Sequence, residues 1–217
     1  MMVERGGHVL IADDHPLTRE GLSLAVRSAL PGIAVDTAGT IAESETALAA
    51  RKVYRLILLD FMLPDARGYS GLLRLQYLAG GTPIAVVSAR EDMQLVEAAK
   101  ALGAAGFLFK SRPLDEIATA VRRIEGGESM FPPQVRSSDV ISGARSRISD
   151  LSGAQLKVLL ALADGRLNKQ IASDLAITEA TVKAHLTAVF RKLGVTNRTQ
   201  ALLAMQPLLG DAGAIAE

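Results

Sequence analysis

Two adjacent carboxylates, Asp13 and Asp14, a third at Asp60, the hydroxyl of Ser88 and the ammonium of Lys110 are the side chains of this 217-residue sequence best suited to chemistry. Carboxylates brought together repel one another unless a cation neutralises them, and hard oxygen ligands favour Mg²⁺. A carboxylate is also a nucleophile that can accept phosphoryl as an acyl phosphate. A hydroxyl and an ammonium beside it would complete a pocket for the phosphoryl oxygens. Plainer roles exist for each residue alone. Asp13 or Asp14 would cap a helix with Pro16 near its first turn, and Ser88 and Lys110 would be solvated loop groups.

Each of these residues follows a short apolar run, and the runs decide whether they meet. The runs are His8–Ala12, Ile33–Thr37, Leu56–Leu59, Pro83–Val87 and Gly106–Phe109, a pattern that suits strands buried on both faces of a parallel sheet. Between them lie stretches with helical spacing: Leu17, Leu22, Leu24, Val26 and Leu30; Leu95, Val96, Ala99 and Leu102; Leu114, Ile117, Val121 and Ile124. Five β-α units predict a doubly wound α/β domain. In strand order 2-1-3-4-5 the first and third strands are neighbours. The three carboxylates, Ser88 and Lys110 then converge on one carboxyl edge, where such folds bind ligands.

Past Glu125 the pattern changes. Gly126-Gly127 ends the last helix, Pro132-Pro133 follows, and Arg136–Asp150 is rich in Ser, Arg and Gly, as an interdomain linker is. From Leu151 onward only helices are predicted, at about 153–164, 168–175, 179–193 and 199–208. Net charge is +1, but residues 166–200 hold 6 basic and 2 acidic side chains. That cluster suits a polyanion partner or a solvated helix face. Cysteine is absent, which excludes disulfides, thiolate metal sites and a Cys nucleophile. Neither a membrane-length apolar run nor a secretory leader is visible, so a cytoplasmic location is expected.

Residues 8–125 resemble the receiver domain of bacterial two-component response regulators. The resemblance is carried by IADDHPLTREGL (11–22), LILLDFMLPDARG (56–68), AVVSAR (85–90) and GFLFK (106–110). It implies that Asp60 is the phosphoacceptor. It further implies that Asp13, Asp14, Asp60 and the main-chain carbonyl of Met62 hold Mg²⁺, and that Ser88 and Lys110 contact the phosphoryl oxygens. Phe107 would be an aromatic switch that swings inward when Ser88 moves. Arg67 departs from the acidic residue usual before the glycine, and Ser111 from a frequent proline. Met62 and Arg90 flank the expected pocket mouth and could set the lifetime of the acyl phosphate.

Residues 168–193, NKQIASDLAITEATVKAHLTAVFRKL, form a helix-turn-helix pattern with its turn at Ala176-Ile177 and its second helix starting at Thr178 or Glu179. Val182, Leu186, Val189 and Leu193 make an apolar stripe. Lys183, Ala184, Thr187 and Arg191 share a polar face suited to a DNA major groove, or to the solvated side of a helical hairpin. The whole stretch 151–202 resembles the LuxR/NarL-type DNA-binding domain, most specifically in NKQIA, TVKAHL and RKLGVTNRTQA. That implies base contacts from Lys183, Ala184 and Thr187 and phosphate contacts from Lys169 and Lys192. Gly153-Ala154-Gln155 departs from the usual Pro-Arg-Glu-like run. The last helix, apolar at Ala201, Leu202 and Met205, is a candidate dimer contact.

The expected organisation is a receiver over 6–126, a linker over 127–148 and a helix-turn-helix domain over 149–217. The expected function is a response regulator, not an enzyme in its own right, with a sensor histidine kinase and an operator duplex as partners and a homodimer as its phosphorylated form. Three alternatives stay open on the residues: a hydrolase with an aspartyl-phosphate intermediate, a protein-interaction module, and a DNA-binding regulator that uses its receiver only as a dimer scaffold.

Overall fold

The computed structural model describes residues 7–50, 53–133, 148 and 150–209. The chain forms two compact units, Met1–Ser138 and Asp139–Glu217. Most of the expected linker, residues 134–147, lies outside the described residues, as do residues 210–217.

The first unit alternates strand and helix: β1 (His8–Ala12), α1 (Pro16–Ala29), β2 (Ala34–Ala38), α2 (Ile41–Ala49), β3 (Tyr54–Asp60), α3 (Ser70–Leu78), β4 (Ile84–Ser88), α4 (Met93–Ala101), β5 (Gly106–Phe109) and α5 (Leu114–Glu125). The sheet is parallel in order β2-β1-β3-β4-β5, the order the sequence predicts. One face packs Val9, Ile11, Leu56, Leu58, Ala85 and Val87 against Leu22, Val26, Ile117 and Val121 of α1 and α5.

Two expectations are corrected. The helical spacing of α1 counts Leu17 and Leu24 among the core positions, but they are 86% and 59% exposed, and the buried side is Leu22, Ala25, Val26 and Ala29. Leu22 and Val26, with the two alanines, face the sheet and α5, while Leu17 and Leu24 face water. Nor is β2 buried on both faces: it is an edge strand, exposed at Ala34 and Thr37.

Strand β3 outruns its apolar core. It pairs on both sides, so its ladder reaches Asp60, which stands opposite Val87; Ser88, the last residue of β4, stands opposite Phe109. At the far edge the chain after α5 returns to the sheet. The Phe107 N–H donates to the Met130 carbonyl (2.8 Å) and the Met130 N–H to the Ala105 carbonyl (3.0 Å). Gly106 allows this approach, because a Cβ there would lie 2.7 Å from the Met130 carbonyl oxygen.

The second unit holds α6 (Gly153–Ala163), α7 (Asn168–Asp174), α8 (Glu179–Leu193) and α9 (Arg198–Leu209). Ser152 and Gln155 cap α6 reciprocally, and Thr178 caps α8 by accepting from the Thr181 N–H. Val182, Leu186, Val189 and Leu193 are buried. Ala201 and Met205 are packed at 0% and 1% exposure and belong to the core of this unit, so an α9 dimer contact would fall to the partly buried Leu202 and the exposed Leu203. Among the described residues no helix is long and apolar enough to cross a membrane.

Candidate functional sites

The acidic pocket forms at the carboxyl edge because β1 and β3 are adjacent and both end in carboxylates. Asp13 is wholly buried and Asp60 is 4% exposed. Lys110, immediately after β5, reaches both, its Nζ lying 2.6 Å from Asp13 Oδ2 and 2.7 Å from Asp60 Oδ2. Burial alone would lower the Lys110 pKa, but the bonds and charges of Asp13 and Asp60 outweigh it and hold the ammonium above its ordinary range. One ammonium does not balance two buried carboxylates with Asp14 beside them. Oxygens of Asp13, Asp14 and Asp60 and a ring nitrogen of His15 all lie within 4.8 Å of one another. This donor set, dominated by hard oxygens, fits Mg²⁺.

Neither aspartate of the pair caps α1. His15 is the N-cap, and its N–H donates to Asp13 Oδ1 (2.9 Å). Met62 belongs to the turn after β3, where its N–H donates to Asp60 Oδ1 (3.1 Å). Ser88 is wholly buried, its Oγ accepting from the Arg90 N–H (3.0 Å), while its carbonyl accepts from the Lys110 N–H (2.8 Å). Val86 and Phe107 are register partners, as are Ser88 and Phe109, so Phe107 shares a sheet face with Ser88. The Phe107 ring is 2% exposed and meets Phe109 edge to face at 5.7 Å. The ring is thus part of the packed interior, a position that an ordinary core aromatic would also take.

Two residues of this neighbourhood escape sequence reasoning. His15 Nδ1 lies 2.6 Å from Asp14 Oδ1; its place beside the acidic pair was the only available signal. Arg19, one helical turn into α1, donates from Nη1 to the Asp13 carbonyl. Nothing in the sequence separates it from a solvated helix arginine.

In the second unit, Lys183, Ala184, Thr187, Arg191 and Lys192 are all exposed along α8, and Lys169 is exposed on α7. The Thr187 hydroxyl donates to the Lys183 carbonyl (3.0 Å), which turns it toward its own helix. Lys192 is engaged within the unit: its Nζ donates to the Asp150 carbonyl and to Gln155 Oε1, both at 2.8 Å.

Comparison with known proteins bears on both sites. Residues 9–122 match the response regulator receiver domain, and residues 149–205 match the bacterial regulatory proteins of the luxR family. The chain is a LuxR-type response regulator. It is 37% identical over 205 residues to the glycerol metabolism activator of Pseudomonas putida, covering 90% of this chain and 93% of that one. It is 32% identical over 197 residues to the virulence regulator BvgA of Bordetella pertussis, covering 87% and 91%. Among solved structures, RcsB from Salmonella enterica serovar Typhimurium aligns over 93% of this response regulator and 98% of its own chain, at TM-score 0.52 and 20% identity. That likeness speaks to fold. As a member of this family the protein is a DNA-binding transcription regulator.

Proposed function

We propose that this response regulator is switched by phosphorylation of Asp60. The observation that carries the proposal is the Lys110 ammonium seated between two buried carboxylates, Asp13 and Asp60, at the mouth of a parallel sheet. An Asp60 oxygen attacks the phosphorus of a sensor kinase phosphohistidine or of a small acyl phosphate. The new bond is carboxyl oxygen to phosphorus; the donor's nitrogen or oxygen leaves with the bonding pair. Asp13, Asp14, Asp60 and the Met62 carbonyl would hold Mg²⁺, whose role is to neutralise charge on the transferring group. Lys110 and the Ser88 hydroxyl donate to the phosphoryl oxygens. To reach them, Lys110 gives up its bond to Asp60 and Ser88 its bond from the Arg90 N–H. Both residues then move, and β4 and β5 carry that movement outward through their shared register.

The output is DNA binding by the second unit as a homodimer on an operator duplex, which places the protein in the cytoplasm. Lys183, Ala184 and Thr187 face base edges, and Arg191, Lys192 and Lys169 face phosphates. The RcsB structure with promoter rprA was obtained in the presence of a phosphomimetic, which supports the same logic here. Intact mass after treatment with acetyl phosphate and Mg²⁺ tests the reading. One phosphoryl adduct, absent from Asp60→Ala and accompanied by dimer on a sizing column, is expected.

A second reading rests on the buried Phe107 ring. If that is the resting position, the receiver is already in its output form and serves as a dimer scaffold without phosphorylation. Asp60→Ala would then leave dimerisation and duplex affinity unchanged.

A further inference from the structure

Asp65 lies five residues past Asp60, in the loop between β3 and α3. Its Oδ1 accepts from the Ile41 N–H (2.8 Å) and its Oδ2 from the Ala42 N–H (2.9 Å). These are the first two amides of α2, donors with no partner inside the helix. The next amide, of Glu43, is capped locally by Thr40 Oγ1 (3.1 Å). The leading pair is taken instead by a carboxylate 24 residues away from Ile41 in sequence. Two oxygens on two consecutive amides fix both distance and orientation, and the negative charge sits favourably at the helix N-terminus.

The loop gripped in this way carries the acceptor. Between Asp60 and Asp65 it is tied down by the Met62 N–H on Asp60 Oδ1 and by the buried Leu63. The strand end that leads into this helix is bonded in turn to the acidic pair's loop, because the Asp13 N–H donates to the carbonyl of Ala38, the last residue of β2 (3.0 Å). Packing beneath the link leaves no slack. Ile41 is wholly buried, and a Cβ built on Gly71 would lie 2.8 Å from its Cδ1. The loops after β1, β2 and β3 are thereby joined in series, with Asp65 as the link between the second and the third.

We infer that Asp65 is a positioning residue, setting the distance between Asp13 and the Asp60–Met62 turn and so the affinity of the pocket for Mg²⁺. This rests on the phosphoacceptor reading and deepens it. The test is calorimetric Mg²⁺ binding to the full chain, with phosphoryl uptake from acetyl phosphate followed in parallel by intact mass. Asp65→Ala is expected to raise the Mg²⁺ dissociation constant about tenfold, the scale of outer-shell effects on metal ligands. Uptake would slow at limiting Mg²⁺ and recover at saturating Mg²⁺. Asp65→Asn keeps one acceptor oxygen and should fall between, and it carries the test if the alanine variant does not fold.

Thr40→Ala supplies the readout that a merely structural role would not distinguish. It removes a cap from the same helix turn without releasing the loop, so it should lower Tm and leave Mg²⁺ affinity alone. Equal weakening by Thr40→Ala, or wild-type Mg²⁺ affinity in Asp65→Ala and Asp65→Asn, overturns the inference while the phosphoacceptor reading stands. A wild-type chain that neither binds Mg²⁺ nor takes phosphoryl overturns that reading, and the inference with it.

Discussion

Asp60 is 4% exposed, bonded to Met62 and Lys110, and set by the register of β3 against β4. Lys183, by contrast, stands exposed on α8, placed only by the helix whose adjoining face buries Val182 and Leu186. The difference follows from what each must do. Phosphoryl transfer gains most from donors and acceptors fixed before the reaction, in a site with little water. Contacts to a duplex draw on displaced counterions and on long side chains that can reach base edges, and burial would forfeit both. On the proposed function, one chain places its reactive groups at strand ends and its reading groups on a helix surface.

The largest effects should come from the buried site. Asp60→Ala is expected to abolish the phosphoryl adduct altogether, because no other carboxylate of the pocket has a strand-end position facing both Met62 and Lys110. Lys110→Ala should slow uptake by roughly 10²–10³, the usual consequence of removing one preorganised donor. The same residue gives a pH signature. Its pKa is raised in the folded state, so the stability it contributes is complete below the ordinary lysine pKa and lost as pH rises through the elevated value. Thermal melts of the wild type should fall away at alkaline pH, and Lys110→Ala should lack that part of the decline. Identical alkaline limbs would show that the ammonium is not held as tightly as Asp13 and Asp60 require.

The two regions were unequally legible in the sequence. Strand order and the convergence of Asp13, Asp60 and Lys110 could be read because apolar runs and parallel topology leave little freedom. Leu17 and Leu24 were misread because helical spacing says which residues share a face without saying which face is inside. Arg19 and Asp65 could not be read at all. Each acts through main-chain groups of another loop, the Asp13 carbonyl for one and the Ile41 and Ala42 amides for the other. Backbone groups leave no mark on residue type. Lys192 illustrates the same gap in the second unit: the family resemblance implies a phosphate contact, and its bonds to Asp150 and Gln155 appear only in three dimensions.

Lys183 and Lys192 together test how free the reading surface is. Lys183→Ala should cost about 1–3 kcal/mol on a preferred duplex and little in Tm, as a base contact does. Lys192→Ala should weaken binding evenly across sequences and flatten the salt dependence by about one unit of slope. It should also lower Tm, because the link from α8 to Asp150 and Gln155 goes with it. Fluorescence anisotropy on labelled duplexes at several salt concentrations, beside thermal melts, separates the two. If Lys192→Ala changes Tm alone, that lysine belongs with the structural residues and the surface is smaller than proposed.

The smallest effect concerns the turn that aims α8. Ala176 follows α7 with φ at 52°, the one non-glycine residue with positive φ among those described. An L-residue held there costs about 1–2 kcal/mol relative to glycine, and the fold meets that cost because the Ile177 N–H reaches the Ala172 carbonyl (3.0 Å) to close the end of α7. Ala176→Gly relieves the strain but loosens the unfolded chain, so the net gain should be below about 1 kcal/mol. Chemical denaturation would measure it. Duplex affinity should stay unchanged, since Leu186 and Val189 hold α8 from beneath whatever the turn contributes. A loss of affinity with a gain in stability would mean that the strained turn, rather than the buried stripe, sets the angle at which Lys183 meets DNA.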